Sequence, residues 1–279
     1  MFMNIKIKEV EVKDYLTKSK LPASDYVINP YIGCPHACKY CYACFMKRFT
    51  GHTEPWGDFI DVKKCNKKID TKKLENKTVF LSSVTDCYNS YEEKYQITRN
   101  ILSQINDVNC EINISTKSSL ILRDIDILKT CKNVKVSVSI NTLDEEFKND
   151  MDRASSIMER LKTLKTLHQN GIYTVLFMSP IFPGITDFKD IIETTQDYVD
   201  EYWFENLNLR GSYKHEILNY IADNYSNLFP LYSDIYIKNI KDYWEELSKS
   251  IGLYCQEKSI KHVNFFDHTK LVKEKGKTN

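Results

Sequence analysis

Short strand-like segments alternate with longer helical patterns through most of this 279-residue chain, and this alternation constrains the fold more than any other feature. Repeated strand–helix units build a sheet of parallel strands covered by helices. Gly171 is suited to end one of the helices, and Asp187 is suited to begin the next. The strand pattern recurs near 26–31, 78–85, 110–117, 133–141, 172–179 and 202–209, and the helical pattern near 92–105, 156–170, 187–199, 213–225 and 237–251.

Three of the predicted strands place polar residues at alternate positions, opposite Ile, Val and Leu. Because side chains alternate between the two faces of a strand, each polar set lies on one side of the sheet. Helices cover the apolar side, so we expect the polar side to face a cavity. An open, partial (β/α)6 barrel fits this pattern better than a closed barrel filled with branched apolar side chains. The alternative is an amphipathic sheet with its polar face in solvent. The polar sets are Glu111, Asn113, Ser115 and Lys117; Ser137, Ser139 and Asn141; and Asn206, Asn208 and Arg210.

The domain organisation follows from the absence of repeats and low-complexity linkers in the sequence. We expect one α/β domain over residues 1–279, with its core at about 24–211 and a C-terminal helical extension at about 212–279. Hydrophobic residues make up 42% of the chain, which is enough for a full core. No apolar run approaches the roughly 20 residues of a membrane span, so no membrane partner is expected.

Charge and cysteine content bear on compartment and partners. Lys and Arg (39) nearly balance Asp and Glu (38), so no global field directs the chain to nucleic acid or to an anionic membrane. A lysine-rich stretch at 63–77 is read as solvated surface, with nucleic-acid contact as the alternative. Nine cysteines, without an apolar leader in residues 1–8, indicate reduced thiols and a cytoplasmic protein.

Three cysteines of one short loop, Cys34, Cys38 and Cys41, are the candidate metal ligands. Thiolates separated by three and then two residues can reach three corners of one iron–sulfur cube. The fourth iron is then left without a protein ligand. An open iron is a reaction site, whereas a fully ligated cluster only transfers electrons, so the loop indicates chemistry.

Two other interpretations of the thiols stay open. Cys44 as a fourth ligand would make an iron–sulfur electron-transfer protein with a fully ligated cluster, although a helical pattern over 42–49 would carry Cys44 away from the open iron. A structural zinc site would combine the thiols with His36 or His52. His52 and Trp56 are otherwise expected to shape the segment that covers the cluster.

The cysteine loop resembles the CxxxCxΦC loop of the radical S-adenosylmethionine (SAM) superfamily, with Tyr40 as the aromatic residue. Further segments resemble the branch related to spore photoproduct lyase, and within it the radical SAM mobile pair protein B family. The likeness spans roughly residues 10–240. The segments similar to the lyase branch are 27–33, 83–86, 116–118, 137–141 and 179–184, and those similar to the mobile pair family are 45–57 and 205–211.

This resemblance implies a partial barrel of the radical SAM type. It also implies that the three cysteines hold a [4Fe–4S] cluster and that SAM binds the open iron through its amino and carboxylate groups. One electron then cleaves SAM to methionine and a 5′-deoxyadenosyl radical, which abstracts hydrogen from the substrate.

The resemblance also implies roles for single residues of the predicted cavity. Lys117 is expected to pair with the SAM carboxylate. Ser139 and Asn141 are expected to hydrogen-bond the methionyl end or the ribose, with strand-end capping as the alternative. The backbone at Tyr40 and Ser179 is expected to lie along adenine. Arg210 is a candidate for binding an anion of SAM or of the substrate, with a structural bridge to an Asp as the alternative.

Two further expectations concern the hydrogen donor and the partners. Spore photoproduct lyase uses a cysteine in the segment that matches 83–86, where this chain has Val84. Cys87 follows closely and is the candidate donor, with a buried, packed thiol as the alternative. Repair of a DNA thymine dimer is therefore not carried over. The resemblance implies a flavodoxin- or ferredoxin-type reductant and a second radical SAM protein as partners; nucleic acid and peptide substrates both stay open.

Overall fold

The computed structural model describes residues 5–21, 24–211 and 213–267. The part of the predicted extension beyond residue 267 lies outside the described residues. The strands are β1 (Lys6–Glu11), β2 (Leu16–Lys18), β3 (Tyr26–Ile28), β4 (Tyr31–Ile32), β5 (Phe59–Lys64), β6 (Thr78–Leu81), β7 (Glu111–Thr116), β8 (Val134–Ser139), β9 (Tyr173–Ile181), β10 (Glu201–Asn206) and β11 (His262–Asn264).

Helices follow most strands of the larger sheet. The α-helices are α1 (Glu92–Tyr95), α2 (Ile97–Ile105), α3 (Ile125–Leu128), α4 (Glu145–Met151), α5 (Ile157–Gln169), α6 (Phe188–Thr195), α7 (Tyr213–Asn224), α8 (Phe229–Tyr236) and α9 (Asp242–Glu257). Short 3-10 helices cover Tyr42–Phe49, Thr71–Lys73, Ser119–Asp124 and Ser226–Leu228. Within the described part of the chain, no helix is both long and apolar enough to cross a membrane.

The larger sheet is the predicted partial barrel. Its eight strands run in the order β11-β10-β9-β8-β7-β6-β3-β2. All neighbouring pairs are parallel except β2 with β3. The six strands from β3 to β10 are joined by the predicted strand–helix units, so their carboxyl ends meet at one edge. Ligand sites of parallel α/β folds lie at this edge.

The helix boundaries show which local signals were reliable. Asp187 caps α6 by accepting hydrogen bonds from the backbone N–H groups of Lys189 and Asp190, as predicted. Gly171 has a φ of +75° after the end of α5, as the C-cap prediction requires. The helix predicted over 92–105 is two helices, because Gln96 adopts a left-handed conformation between them.

Three boundary predictions were wrong. The helix predicted at 237–251 is α9, and it begins five residues later, at Asp242. The segment at 26–31 is divided between two sheets, since β3 pairs with β6 while β4 pairs with β5. The predicted extension is not wholly helical, because β11 returns to the edge of the sheet and pairs with β10.

The inner face of the barrel is polar on two strands and aromatic on two others. Paired residues of neighbouring strands point to the same side of the sheet. Ser137 of β8 therefore shares a face with Ser115 of β7, as predicted. On the next strands the same face carries Phe177 and Trp203, whose ring centroids lie 5.6 Å apart. The cavity thus has a polar wall and an apolar wall.

A small second sheet, β1-β5-β4, packs beside the barrel. Its fully buried Tyr31 donates a hydrogen bond to Glu92 at 2.5 Å. Glu92 also accepts from the backbone N–H of Thr98 at 3.0 Å and forms an ion pair with Arg123 at 2.9 Å. Because buried charges need several partners, this cluster fastens the small sheet to the helices that follow β6.

Candidate active site

The cysteine loop, residues 33–41, is held at the carboxyl edge of the barrel by backbone hydrogen bonds to distant segments. Thr85 donates its hydroxyl to the Gly33 carbonyl at 2.7 Å. The N–H of Arg153 donates to the His36 carbonyl at 2.7 Å. The N–H of Lys39 donates to the Met151 carbonyl at 2.9 Å. Segments that follow β6 and α4 therefore fix the loop that carries the three thiols.

Two close backbone contacts define the path of the loop. Gly33 has a φ of +88°, and a Cβ at this position would lie 2.4 Å from the carbonyl oxygen of Phe59. Gly57 has a φ of +103°, and its Cβ would lie 2.5 Å from the Cβ of Ala37. Only glycine permits both this conformation and this approach. The segment 56–59 is thus pressed against the cysteine loop.

The thiols of Cys34, Cys38 and Cys41 lie close enough to influence one another. Burial raises the pKa of Cys34 well above its ordinary value, and Asp86 and the other two thiols raise it further. Burial and Asp152 raise the pKa of Cys38 to about 12. Metal ligation needs thiolates, so binding of a cationic group here would release protons.

Lys117 supplies positive charge to the same place. It lies at the end of β7, and its charge lowers the pKa of both Cys38 and Cys41, against the larger effect of burial. Its Nζ lies 5.8 Å from the ring centroid of Tyr40. The predicted inward-pointing lysine therefore meets the cysteine loop, in a position to attract an anion.

A buried ion pair between Asp152 and Arg160 contacts the Tyr40 hydroxyl. Asp152 accepts a hydrogen bond from the Tyr40 hydroxyl at 3.3 Å and from Arg160 at 2.5 Å. Burial would raise the pKa of Asp152, but Arg160, Lys117 and Lys148 outweigh it and hold the pKa below its usual range. The Asp152 carboxylate is therefore ionised at neutral pH.

A second buried carboxylate, Asp86, connects the loop to the barrel. It lies 3.3 Å from His36 and accepts hydrogen bonds from the Thr116 hydroxyl and the Lys117 backbone N–H, both at 2.8 Å. Burial raises the pKa of Asp86, but His36 and hydrogen bonds from the backbone N–H groups of Lys117 and Tyr88 outweigh burial and lower it. Asp86 thus positions the strand end from which Lys117 extends.

The predicted polar residues of the next strands line the same edge. Ser139 is buried on β8, and its carbonyl accepts from Arg160 at 3.2 Å. The Asn141 amide donates to the Pro180 carbonyl at 3.1 Å, so part of its hydrogen-bonding capacity is structural. Ser179 precedes a cis proline on β9 and donates its hydroxyl to Glu205.

Arg210 is not on a barrel strand, contrary to the prediction. The register between β9 and β10 shifts between Phe204 and Asn206, and β10 ends at Asn206. Arg210 is exposed in the following segment, and its Nε donates to Asn208 at 2.9 Å. No Asp bridge to Arg210 is seen among the described residues.

Cys87 and His52 lie outside the thiol cluster. Cys87 is fully buried in the main hydrophobic core, and burial raises its thiol pKa well above the ordinary value. This position suits a packed thiol, and a donor role for Cys87 stays a prediction. His52 stacks on Phe59 at 4.1 Å, and its ring nitrogens contact Glu54 at 3.0 Å and Asp61 at 2.7 Å.

Cys44 belongs to the 3-10 helix Tyr42–Phe49, as the helical pattern predicted. Its side chain packs against the hydrophobic cluster formed by the C-terminal helices. It still lies near enough to Cys41 to raise the pKa of that thiol.

The residues present fit a group held by three thiolates. The indole N–H of Trp56 is buried and has no hydrogen-bond partner among the described residues, and the next residue, Gly57, packs directly on Ala37 of the cysteine loop. Among the described side chains, no three of His, Cys, Asp and Glu are arranged to hold one metal ion. Thiolates of a cluster bind separate irons and do not converge in that way.

Sequence reasoning missed the supporting charges. Asp152 and Arg160 are eight residues apart and meet only because a turn joins α4 to α5, so no local spacing reveals the pair. Glu205 lies at the end of β10, in a segment whose alternation could have placed it beside Ser179.

A partial parallel barrel with a thiol loop at its carboxyl edge has the architecture of a cofactor-dependent enzyme. Residues 28–197 match the radical SAM superfamily, and the chain belongs to that superfamily. It is accordingly a radical SAM enzyme, and the cofactors of its family are a [4Fe–4S] cluster and SAM.

Two similar sequences are uncharacterised proteins. One, from Methanocaldococcus jannaschii, is 37% identical over 235 residues, which cover 84% of this chain and 89% of the relative. The other, from the Acidianus two-tailed virus, is 31% identical over 207 residues, covering 67% and 68% of the two chains. Neither relative has an assigned reaction that could be compared with this chain.

Two solved structures share the fold. A spore photoproduct lyase variant with bound AdoMet and dinucleoside spore photoproduct has a TM-score of 0.58 at 15% identity, covering 76% of this chain and 65% of the lyase. SuiB of Streptococcus suis bound to S-adenosylmethionine has a TM-score of 0.54 at 14% identity, covering 85% and 49%. This chain thus spans less than two thirds of either protein.

Gly33→Ala is expected to lower the free energy of unfolding by about 3 kcal/mol, because the new Cβ combines a strained φ with a clash against Phe59. Gly211→Ala is the matched control, since its φ is also positive, at +65°, but apart from its chain neighbours no atom of the described residues lies within 4 Å of the new Cβ. The control should lose only about 1 kcal/mol. Urea denaturation measures both, and equal losses would show that the contact with Phe59 does not constrain the loop.

Proposed function

We propose that this chain holds a [4Fe–4S] cluster on Cys34, Cys38 and Cys41 and uses it to cleave SAM reductively, with hydrogen abstraction from a substrate. The observation that supports this most directly is the position of the three thiols, at the carboxyl edge of the barrel and beside Lys117. When bound, the cluster supplies one electron to SAM and an open iron that binds it. The protein residues bind, orient and exclude water.

Lys117 is proposed to hold the carboxylate of SAM. Its ammonium group lies beside the cysteine loop, and an inward-pointing lysine is stabilised by an anion. Ser139 and Asn141 are proposed to position the methionyl end or the ribose from the neighbouring strand. The backbone at Tyr40 and Ser179 is proposed to lie along adenine. Arg210 is proposed to bind an anion of the substrate, because it is exposed beyond the end of β10.

Nucleic acid is proposed as the substrate class. The lyase structure with the same fold holds a dinucleoside spore photoproduct. In this chain the helix after Cys41 exposes Tyr42, Phe45 and Phe49. The Arg48 guanidinium lies 5.5 Å from the Phe45 ring centroid and 4.7 Å from that of Phe49. Exposed aromatic rings beside arginine form the kind of platform on which bases stack.

The lysine-rich stretch at 63–77 gives less support to this substrate class. Lys64 pairs with Glu9 at 2.6 Å, Lys67 with Asp14 at 3.3 Å, and Lys73 with Asp70 at 3.5 Å.

A reductant of the flavodoxin or ferredoxin type is proposed as electron donor, and a second radical SAM protein, of the mobile pair, as a further partner. A cytoplasmic location is proposed because nine cysteines in a chain of this size are expected to be reduced thiols.

Cys34→Ala is expected to remove most of the cluster iron, whereas Cys44→Ala keeps about four irons per chain, because only the first is a ligand of the open cluster. Iron and sulfide analysis after anaerobic reconstitution measures both variants. Equal loss of iron would favour the second candidate, an electron-transfer protein with a fully ligated cluster.

Lys117→Ala is expected to weaken SAM binding about tenfold or more while the iron content stays unchanged, because a buried charge pair is lost. Lys135→Ala is the control, since this lysine lies near the amino end of β8, at the sheet edge opposite to the cysteine loop, and pairs with Glu201 at 3.7 Å. Binding of SAM to reconstituted protein is measured by calorimetry. Unchanged affinity in the Lys117 variant would refute its proposed role.

A further inference from the structure

Three aromatic rings form a corner on the inner face of the barrel, at its apolar wall. The ring centroids of Phe177 and Trp203 lie 5.6 Å apart, and those of Trp203 and Phe265 lie 5.6 Å apart as well. The Phe177 and Phe265 centroids lie 6.0 Å apart. All three residues are half-buried, whereas Phe204, on the other face of β10, is fully buried. The aromatic corner, Phe177, Trp203 and Phe265, therefore keeps part of its ring surface open.

The strand register places this aromatic corner beside the residues that are proposed to bind SAM. Phe177 pairs with Ser139 of β8 and with Trp203 of β10, so the three side chains share the inner face at one level of the sheet. Ser139 is proposed to position the methionyl end or the ribose of SAM. Ser179 is the next residue of β9 on that face, and its backbone is proposed to lie along adenine. A group held on the aromatic corner therefore lies next to the proposed SAM site.

Glu201 fixes the indole of Trp203 and occupies its polar edge. The Trp203 Nε1–H donates to Glu201 at 2.9 Å, and the Tyr173 hydroxyl donates to the same carboxylate at 3.2 Å. Because the indole N–H is already engaged, Trp203 offers a ligand its ring face and no hydrogen-bond donor. Such a surface binds flat rings by stacking, and it tolerates different rings because each has a π-face.

Positive charge lies on the amino side of the aromatic corner. The Nζ atoms of Lys135 and Lys261 lie 5.3 and 5.9 Å from the ring centroid of Tyr173. Lys135 is ion-paired, whereas no carboxylate in the described part of the chain lies within ion-pair distance of Lys261. Lys261 is exposed and precedes by two residues Val263, the partner of Trp203 in the register. Two residues of a strand span about 6.7 Å, which suits a phosphate next to a base stacked on Trp203.

We propose that the aromatic corner holds one unpaired base of a single-stranded nucleic acid, with Trp203 as a specificity-determining residue that stacks on the base and Lys261 at the adjacent phosphate. The inference rests on the proposed function and specifies which part of the substrate lies inside the barrel. A base within a duplex is stacked on its neighbours, so it enters an enclosed site only when it is unpaired. An aromatic side chain of a peptide fits the rings but supplies no phosphate for Lys261.

The first experiment measures the Kd of fluorescein-labelled single-stranded DNA and RNA oligonucleotides for cluster-loaded protein by fluorescence anisotropy. Trp203→Leu is expected to raise the Kd about tenfold, because one base–aromatic stack is lost. Trp203→Phe keeps a ring and should stay within about threefold of the wild type. Unchanged affinity in Trp203→Leu, or an equal loss in Trp203→Phe, would overturn the role of the indole face.

The phosphate contact is tested with a matched pair of lysine variants in the same assay. Lys261→Gln is expected to raise the Kd about threefold and to reduce the salt dependence of binding by about one ion. Lys258→Gln is the control, since this lysine caps α9 and its Nζ lies 5.9 Å from the ring centroid of Tyr254. Equal salt dependence in the two variants would contradict the placement of a phosphate at Lys261.

A second measurement keeps Trp203 and covers the case in which its variants do not fold. A protein with Trp56→Phe and Trp244→Phe has Trp203 as its only tryptophan. Its fluorescence should be quenched by a mixed-sequence single-stranded oligonucleotide and not by an abasic oligonucleotide of equal length and charge. Equal responses to the two, or quenching only by a tyrosine-containing peptide, would overturn the proposal.

The outcomes for this inference and for the proposed function are separable. Oligonucleotide binding that does not depend on Trp203, in a protein that holds iron and forms 5′-deoxyadenosine, refutes the inference alone. A chain that holds no iron after reconstitution refutes the proposed function itself.

Discussion

The conformation of the cysteine loop depends on backbone contacts made by three other parts of the chain. Thr85 follows β6 and contacts the loop through its hydroxyl, whereas Met151, at the end of α4, and Phe59, at the start of β5, meet the loop through their carbonyl groups. These contacts are possible only if β5, β6 and the α4 turn reach the same edge of the fold. The sheet register therefore determines where the thiols lie, and Gly33 and Gly57 permit the close approach.

Charge compensation gives the site its chemical character. Two buried carboxylates, Asp86 and Asp152, lie near the three thiols, of which Cys34 is buried and the other two are half-buried. Burial together with these carboxylates raises the pKa of Cys34 and Cys38. Lys117 and Arg160 lower the pKa of Asp152, and hydrogen bonds hold Asp86. Ionising three thiols would need more positive charge than these residues supply, and cluster irons would provide it. Asp86 accepts a hydrogen bond from the Lys117 backbone N–H, while the Lys117 ammonium group lies near the Tyr40 ring of the loop.

Much of this architecture could be predicted because strand periodicity and helix caps are local properties. The polar inner faces of β7 and β8 follow from alternation alone. The aromatic wall could not be predicted, since Phe177 and Trp203 look like ordinary core residues until the register with β8 is known. β1 and β5 were missed because their charged residues resemble solvated surface. Arg210 was misplaced because the irregular pairing after Phe204 ends β10 early.

The sequence names candidate ligands for the site but does not reveal the residues that support them. The spacing of Cys34, Cys38 and Cys41 is a local signal, and Lys117 follows from its place at a strand end. The Asp152–Arg160 pair and the burial of the Trp56 indole N–H arise only from tertiary contacts, so no pattern in the sequence reveals them.

The central claim is that this protein initiates radical chemistry from SAM. The most direct test is anaerobic reconstitution of the cluster, addition of SAM and dithionite, and chromatographic assay of 5′-deoxyadenosine. The account predicts its formation by the wild type and its absence from Cys34→Ala. A wild-type preparation with four irons per chain that forms no 5′-deoxyadenosine, and whose reduced EPR spectrum does not respond to SAM, would contradict the account.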